Sequence, residues 1–419
     1  MGWGVLFSVF PGIILLAMKK ILFSIFIFLI CFSVLECVVR AIWFMKYKTW
    51  DIDCKKTKIF INDPYTGYRL KPGYDARKEF NELCETDLPV IRGTIICYKD
   101  RNWRMSHKND KTFTVNSLGF RGQEIEPDDN SKFIILALGG STTMGNGVSD
   151  DETWPACLEK HLHDKGLINV KVINGGVGGF SSRNELRLFM HYGLKLNPKI
   201  VLVHDGWNEI SLVWTLKDKW NKKYIGDLAY IAGTNKFVYN TPLLSIRLAY
   251  AAASRITNKI ASSGFKNNAY SYTASLPLIK KDFWVKDWHE NISALKKMAE
   301  DSGAEVYLLN YPGLCRKGSN IEEKNLVIRN TRVGNTVNYE FWVEVKDEIN
   351  KAIKKNNDFR VLDTVNEFTG IKNVDYAKFF LDEMHMNAQG DDLFAEIIAE
   401  KLSADQVFLE NYDKFLKQK

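Results

Sequence analysis

The sequence predicts an α/β protein in which a parallel, flavodoxin-like sheet carries helices on both faces and follows a membrane-spanning helix. Three observations predict it. Five short apolar runs, at 133–138, 170–174, 200–204, 305–310 and 360–363, have the length and β-branched content of strands buried on both faces. Helical stretches lie between them, including 153–163, 182–192 and 287–301, and such alternation marks a parallel sheet built from right-handed crossovers. Ahead of them all, residues 21–45 are almost unbroken apolar sequence, long enough as a helix to cross about 30 Å of hydrocarbon.

Residues 1–17 are also apolar, but they are short for a span and contain Pro11. Met18-Lys19-Lys20 has the form of a signal-anchor start, so translation from Met1 and from Met18 both fit. Glu36 and Arg40 interrupt the span at i,i+4 spacing, where they can pair or snorkel toward an interface. No small-residue cleavage site follows, which favours an anchor over 1–45 rather than a cleaved signal peptide. The flanks conflict on orientation, with Lys19 and Lys20 before the span and Lys46, Lys48, Lys55 and Lys56 after it. Residues 46–130 read as a polar, irregular segment wrapping the domain that follows. That main domain occupies 131–419 and carries an insert at about 210–281 rich in aromatics, among them Trp214, Trp220, Tyr224 and Tyr230. Two readings of the insert stand: a lid whose rings stack on sugars, or a private core.

The chemistry sits where strands end. The first core strand runs through Gly139-Gly140 into Ser141, which places a hydroxyl at the carboxyl end of a parallel strand, where open α/β sheets bind ligands. The second leads into Gly175-Gly176-Val177-Gly178-Gly179, a turn whose backbone N–H groups can approach a ligand closely. After the third comes Asn208, a side-chain amide able to donate to a developing oxyanion. Near the C-terminus, Asp382 precedes His385 by three residues, a pairing that sets an imidazole tautomer and stabilises its charged form. Each motif alone has an ordinary structural use as a turn or helix cap.

In the order Ser141, Gly179, Asn208, Asp382 and His385, these segments resemble the four signature blocks of the SGNH (GDSL-type) hydrolase family. The likeness covers roughly 133 to the end. A weaker echo upstream, in Asp63-Pro-Tyr-Thr-Gly-Tyr-Arg-Leu-Lys-Pro72 and Thr114-Val-Asn-Ser-Leu-Gly-Phe-Arg-Gly122, is similar to the lead-in of membrane-anchored members associated with surface polysaccharides. The resemblance implies the SGNH hydrolase fold, Ser141 as nucleophile, His385 as general base and Asp382 orienting it. It also implies an oxyanion hole from the Ser141 and Gly179 N–H groups and the Asn208 side chain. Two positions depart from the pattern: Gly140 stands where the family name has Asp, and Glu209 where Asp is usual.

The implied activity is acyl transfer: an esterase taking acetyl or another short acyl group from a carbohydrate or surface polymer, with an extracytoplasmic catalytic domain. An O-acyltransferase, a lipid esterase and a catalytically silent envelope scaffold are the alternatives. The scheme needs no cofactor, and no dense His/Cys/carboxylate cluster has zinc-site spacing. The remaining histidines, His107, His161, His163, His191, His204 and His289, are scattered; His161 and His163 read as exposed on a helix, and His204 as a core or strand-end residue rather than a second base. Net charge is only +7 over 419 residues and no run interleaves basic and aromatic residues, which argues against a nucleic-acid module. Cys31 and Cys37 lie in the anchor, and Cys84 and Cys97 bracket a short segment where either a disulfide or two reduced thiols would fit.

Overall fold

The computed structural model describes residues 6–47, 59–76, 112–126, 130–209, 283–324, 339–355, 358–370 and 375–418. The aromatic insert, Cys54, Cys84, Cys97 and His107 lie outside them. The chain divides into two compact units, one containing the N-terminal helix and the other the sheet with everything packed on it.

Helix α1 runs over Leu6–Tyr47 in one piece. Pro11 falls so near its start that one internal hydrogen bond at most is forfeited. Within α1, Lys19–Ile42 is 24 residues with mean hydropathy 2.7, long and apolar enough to cross a membrane. Its apolar side chains face outward, Phe23 and Phe28 being about two-thirds exposed at 65% and 66%, an arrangement that suits lipid and is costly in water. Glu36 and Arg40 pair with each other at 2.8 Å.

The second unit is built on strands β3 (Phe133–Gly139), β4 (Val170–Gly176), β5 (Ile200–His204), β6 (Glu305–Leu309) and β7 (Arg360–Leu362), which follow an antiparallel hairpin of β1 (Phe60–Asp63) and β2 (Gly67–Leu70). The five core strands are parallel in the order β4-β3-β5-β6-β7, the flavodoxin-like arrangement expected from the sequence. Every residue of β3 and β5 is buried, which is why both read as unbroken apolar runs rather than alternating ones.

The chain steps from β3 out to β4 and then returns past β3 to β5, β6 and β7. Right-handed crossovers therefore put the first connecting helix on one face and the later ones on the other. The first is α3 (Trp154–Asp164), after the short α2 (Ser141–Met144). The later ones are α4 (Ser182–Leu188), which loosens into a π turn over Phe189–Gly193, then α5 (Phe283–Asp301) and α6 (Tyr339–Lys354). A short α7 (Val365–Gly370) precedes α8 (Ala388–Ala404), which packs back on α3, and α9 (Gln406–Lys417), while α4 packs on α5. Three rings of α9, Phe408, Tyr412 and Phe415, close on Phe133 edge-to-face at 5.3–5.7 Å and fasten the C-terminus to the first core strand.

The residues before β3, expected as an irregular wrap, include more order than that. The β1–β2 hairpin is closed by Asp63, whose Oδ1 accepts from the Tyr65 N–H at 3.0 Å and the Thr66 N–H at 2.8 Å, with Gly67 at φ +83°. Residues 114–122 form a second turn, held by Asn116 Oδ1 accepting from the Leu118 N–H at 3.1 Å and the Phe120 N–H at 3.0 Å. Its Arg121 is 4% exposed. The guanidinium donates to the carbonyls of Met144, Gly145 and Val148 and pairs with Asp150 at 2.9 Å, so it staples the loop that follows Ser141.

Candidate active site

Close packing dictates the small residues around Ser141. A Cβ on Gly139 would lie 2.1 Å from Thr143 Oγ1, and one on Gly140 would lie 2.5 Å from Asn208 Nδ2. The Gly140 position is thus filled by the Asn208 amide, a physical reason for glycine where the resembling family has Asp. Across the sheet, a Cβ on Gly176 would lie 2.1 Å from the Met144 nitrogen, so the glycines ending β4 let α2 sit directly on them. Ser141 opens α2, and its N–H belongs to the helix's first turn, where no internal acceptor exists. The crevice between the ends of β3 and β5, where the strand order reverses, is where open α/β sheets take ligands.

Asp382 and His385 share the tight loop before α8. The Leu381 N–H donates to the His385 carbonyl at 2.7 Å, and Phe380 pairs with Met386 as an antiparallel bridge. Inside that loop the Asp382 carboxylate is held by backbone donors, Met384 at 3.0 Å and His385 at 2.7 Å, both on Oδ1. Its Oδ2 lies 2.7 Å from His385 Nδ1, and His385 Nε2 lies 2.7 Å from Ser141 Oγ. A carboxylate only accepts, so Nδ1 carries the proton and Nε2 of the neutral ring is the acceptor for the serine O–H. Three sequence-predicted residues, two of them 244 positions apart, form one hydrogen-bonded chain.

Burial disfavours charge on both members of the pair, and their mutual attraction outweighs it. Burial alone would raise Asp382, but the His385 charge and the hydrogen bonds from His385 and Met384 hold it below the ordinary carboxylate range. Burial alone would lower His385, but Asp382 draws it above the ordinary imidazole value.

Gly179 is the third residue of a turn closed by the Phe180 N–H donating to the Val177 carbonyl at 3.0 Å, and its φ of +83° is one that glycine adopts without strain. The Gly179 N–H has no acceptor among the described residues. Asn208 donates through Nδ2 to the Phe180 carbonyl at 2.6 Å, which orients the amide and leaves its second N–H over. The Gly179 turn and the Asn208 amide are therefore joined to each other, and Asn208 is joined to the nucleophile strand through its contact with Gly140.

Of the acids around the Asn208 turn, the sequence reading singled out Glu209 and not its partners Glu185 and Asp205. Glu185, Asp205 and Glu209 form a cluster of carboxyls buried to 0%, 3% and 2% exposure beneath the Asn208 turn. Burial raises all three, and the crowding of one acid by another adds to it for Glu185 and Asp205. Glu209 Oε1 also accepts from the Ser182 N–H at 2.5 Å, which ties the start of α4 to the Asn208 turn. The signal for this cluster was two acids flanking Asn208 at the end of a wholly buried strand. His204, as expected, is a core residue: it stacks on Tyr311 with ring centres 4.0 Å apart, and burial lowers it to about 3, so it stays neutral. His161 and His163 differ from the expected exposure; both are half-buried, facing Asp392 at 2.9 Å and the Val170 carbonyl at 2.7 Å.

No protein-family profile matches the chain, and no curated protein does. Among solved structures it is similar to the lipase/acylhydrolase from Enterococcus faecalis, at 15% identity and TM-score 0.37 over 65% of this chain and 95% of that one. It is similar also to an acetyl xylan esterase, at 14% identity and TM-score 0.36 over 64% of this chain and 98% of that one. A third is a GDSL-like lipase from Bacteroides thetaiotaomicron VPI-5482, at 11% identity and TM-score 0.33 over 67% and 92% of the two chains. The chemistry of the present chain follows from the atoms of its own site, not from these distant likenesses.

Proposed function

We propose that the chain is a serine ester hydrolase, held at a membrane by α1, that removes acetyl or another short acyl group from a carbohydrate or related surface polymer. The observation that carries the reading is the Asp382–His385–Ser141 chain, with both side-chain links at 2.7 Å. Serine is a weak nucleophile at neutral pH and needs a neutral imidazole in hydrogen-bond reach to take its proton as the C–O bond forms.

In this reading Ser141 Oγ attacks the ester carbonyl while its proton passes to His385 Nε2, and Asp382 stabilises the imidazolium. The tetrahedral oxyanion takes hydrogen bonds from the Ser141 N–H, the Gly179 N–H and the Asn208 side chain, each of the order of 3 kcal/mol of barrier. Collapse breaks the bond to the alcohol oxygen, which leaves with the proton from His385. Water then gives a proton to the same nitrogen, attacks the acyl-serine and releases the acid, restoring Ser141. The anchor supports a substrate at or near a membrane surface; the lysines of its two flanks oppose each other, so an extracytoplasmic catalytic unit rests on the family resemblance. Of the two readings of the aromatic insert, the lid whose rings stack on sugars is the one that a carbohydrate substrate would use.

Turnover of p-nitrophenyl acetate and of acetylated oligosaccharides, by the full chain beside Ser141→Ala, tests this. We expect acetate release and labelling by a serine-directed phosphonate in the first and a loss of at least about 10³-fold in the second. Equal turnover and equal labelling would overturn it.

A further inference from the structure

We infer that Tyr68, on the hairpin upstream of the catalytic core, is a positioning residue that orients the Gly179 N–H; this rests on the reading of Gly179 as an oxyanion donor. The Tyr68 hydroxyl donates to the Gly178 carbonyl at 2.9 Å across 110 residues of sequence. That carbonyl and the Gly179 N–H are the two ends of one planar peptide group and point in opposite directions. Whatever holds the oxygen on one side therefore aims the hydrogen on the other.

The group needs such a hold. It is the central peptide of the turn Val177–Phe180, and rotating the central peptide by half a turn is what separates type I from type II turns. At Gly178-Gly179 no Cβ opposes either orientation, so the turn's own sterics leave the choice cheap. The +83° φ of Gly179 is that of the type II form, the form in which the Gly178 oxygen meets Tyr68. In the flipped form the Gly179 N–H would leave its present direction and the Tyr68 hydroxyl would lose its acceptor. A hydrogen bond to the carbonyl also polarises the peptide, making its N–H a better donor to an oxyanion.

The hairpin is braced so that Tyr68 cannot drift. Its ring meets Phe180 edge-on at 5.2 Å and Phe60 at 5.6 Å, and Phe60 itself lies over Gly178. Asn184 Nδ2 donates to the Thr66 carbonyl at 3.0 Å, and Tyr192 donates through its hydroxyl to Asp63. Arg69 lies 3.4 Å from Asp63 and donates to the Leu118 carbonyl at 3.0 Å. The hairpin thus grips the Gly178–Ser182 loop at several points, and among the described residues it is Tyr68 that hydrogen-bonds to the peptide in question.

The test is steady-state turnover of p-nitrophenyl acetate by the full chain in detergent, comparing wild type, Tyr68→Phe and 4-aminophenylalanine at position 68. Tyr68→Phe keeps the ring and removes the donor. We expect kcat to fall roughly tenfold at unchanged KM, since the interaction is felt in the transition state. The amino variant, which restores a weaker donor, should recover part of it. The Gly179 amide proton should move upfield in Tyr68→Phe as its peptide loses polarisation. Phe415→Leu, which loosens α9 on Phe133 and touches neither the hairpin nor Gly178, should lower the melting temperature and leave kcat within twofold. Wild-type kcat in a folded Tyr68→Phe, with Ser141-dependent turnover intact, overturns the inference and leaves the hydrolase reading standing. Loss of Ser141 dependence in wild type would instead bring down the hydrolase reading. Should Tyr68→Phe not fold, the amino variant decides alone: a kcat below that of tyrosine at equal KM supports the role, and an unchanged kcat overturns it.

Discussion

At the scale of single residues, the pair Asp382–His385 sets activity and stability against each other. His385 is raised above 6.5 by Asp382, so the stability it contributes is full below 6.5 and is lost as pH rises through its folded value. Asp382 is depressed below 3.8, so its contribution is full above 3.8 and is lost as pH falls through its folded value. The ion pair holds the fold best between those limits, where the imidazole is protonated and cannot act as base. We therefore expect kcat/KM to rise with pH along a limb whose midpoint lies above 6.5. Asp382→Asn should cut kcat by about 10⁴-fold by losing the tautomer and move the limb to lower pH, since the Asp382 charge is what raises His385. A pH–rate profile of both proteins on a soluble aryl ester checks this; an unmoved midpoint would mean that the Asp382 charge does not tune His385.

At the scale of elements, the segment before the sheet holds the loops on which the site is built. Arg121, itself 4% exposed, donates to three carbonyls of the loop after Ser141 and pairs with the half-buried Asp150. Removing it leaves buried acceptors unmet and Asp150 without this partner, so Arg121→Met should lower stability by about 3–5 kcal/mol, read as an earlier unfolding midpoint in urea. Arg121→Lys should not restore it, because one ammonium cannot fork across three carbonyls. A midpoint within experimental error of wild type would show that the staple is dispensable. The same element explains where sequence reading stops. Strands β3 and β5 were legible because complete burial writes itself as an apolar run, and Asp382 and His385 because three residues of spacing is a local pattern. Ser141, Gly179 and Asn208 were legible because strand ends carry ligand-binding turns. Tyr68 and Arg121 reach their acceptors across 110 and 23 to 27 residues, and their neighbours carry no periodicity that names those acceptors. The third member of the Glu185–Asp205–Glu209 cluster was hidden for a related reason: Glu185 of α4 meets Asp205 and Glu209, which follow β5, only once the two elements are packed.

At the scale of the whole molecule, α1 gives the proposed reaction its place. Lys19–Ile42 exposes apolar side chains all round, and a surface of that kind is stable only in hydrocarbon or against another apolar face. If lipid is the partner, the full chain should stay with the membrane through an alkaline carbonate wash and leave it only in detergent. Leu29 and Ile30 lie near the middle of the span, so the double change Leu29→Arg and Ile30→Arg puts two charges at the most expensive depth, roughly 5–7 kcal/mol on insertion scales. That variant should appear in the soluble fraction, with turnover of a small soluble ester within about twofold of wild type, because the catalytic unit has its own core. Turnover of an acetylated polymer displayed on vesicles should fall much further, since the anchor raises the effective concentration of enzyme at that surface. Persistence of the double variant in the membrane pellet would assign attachment to a surface other than α1, and an equal fall on soluble ester and displayed polymer would mean that the helix serves the fold rather than the meeting of enzyme and substrate.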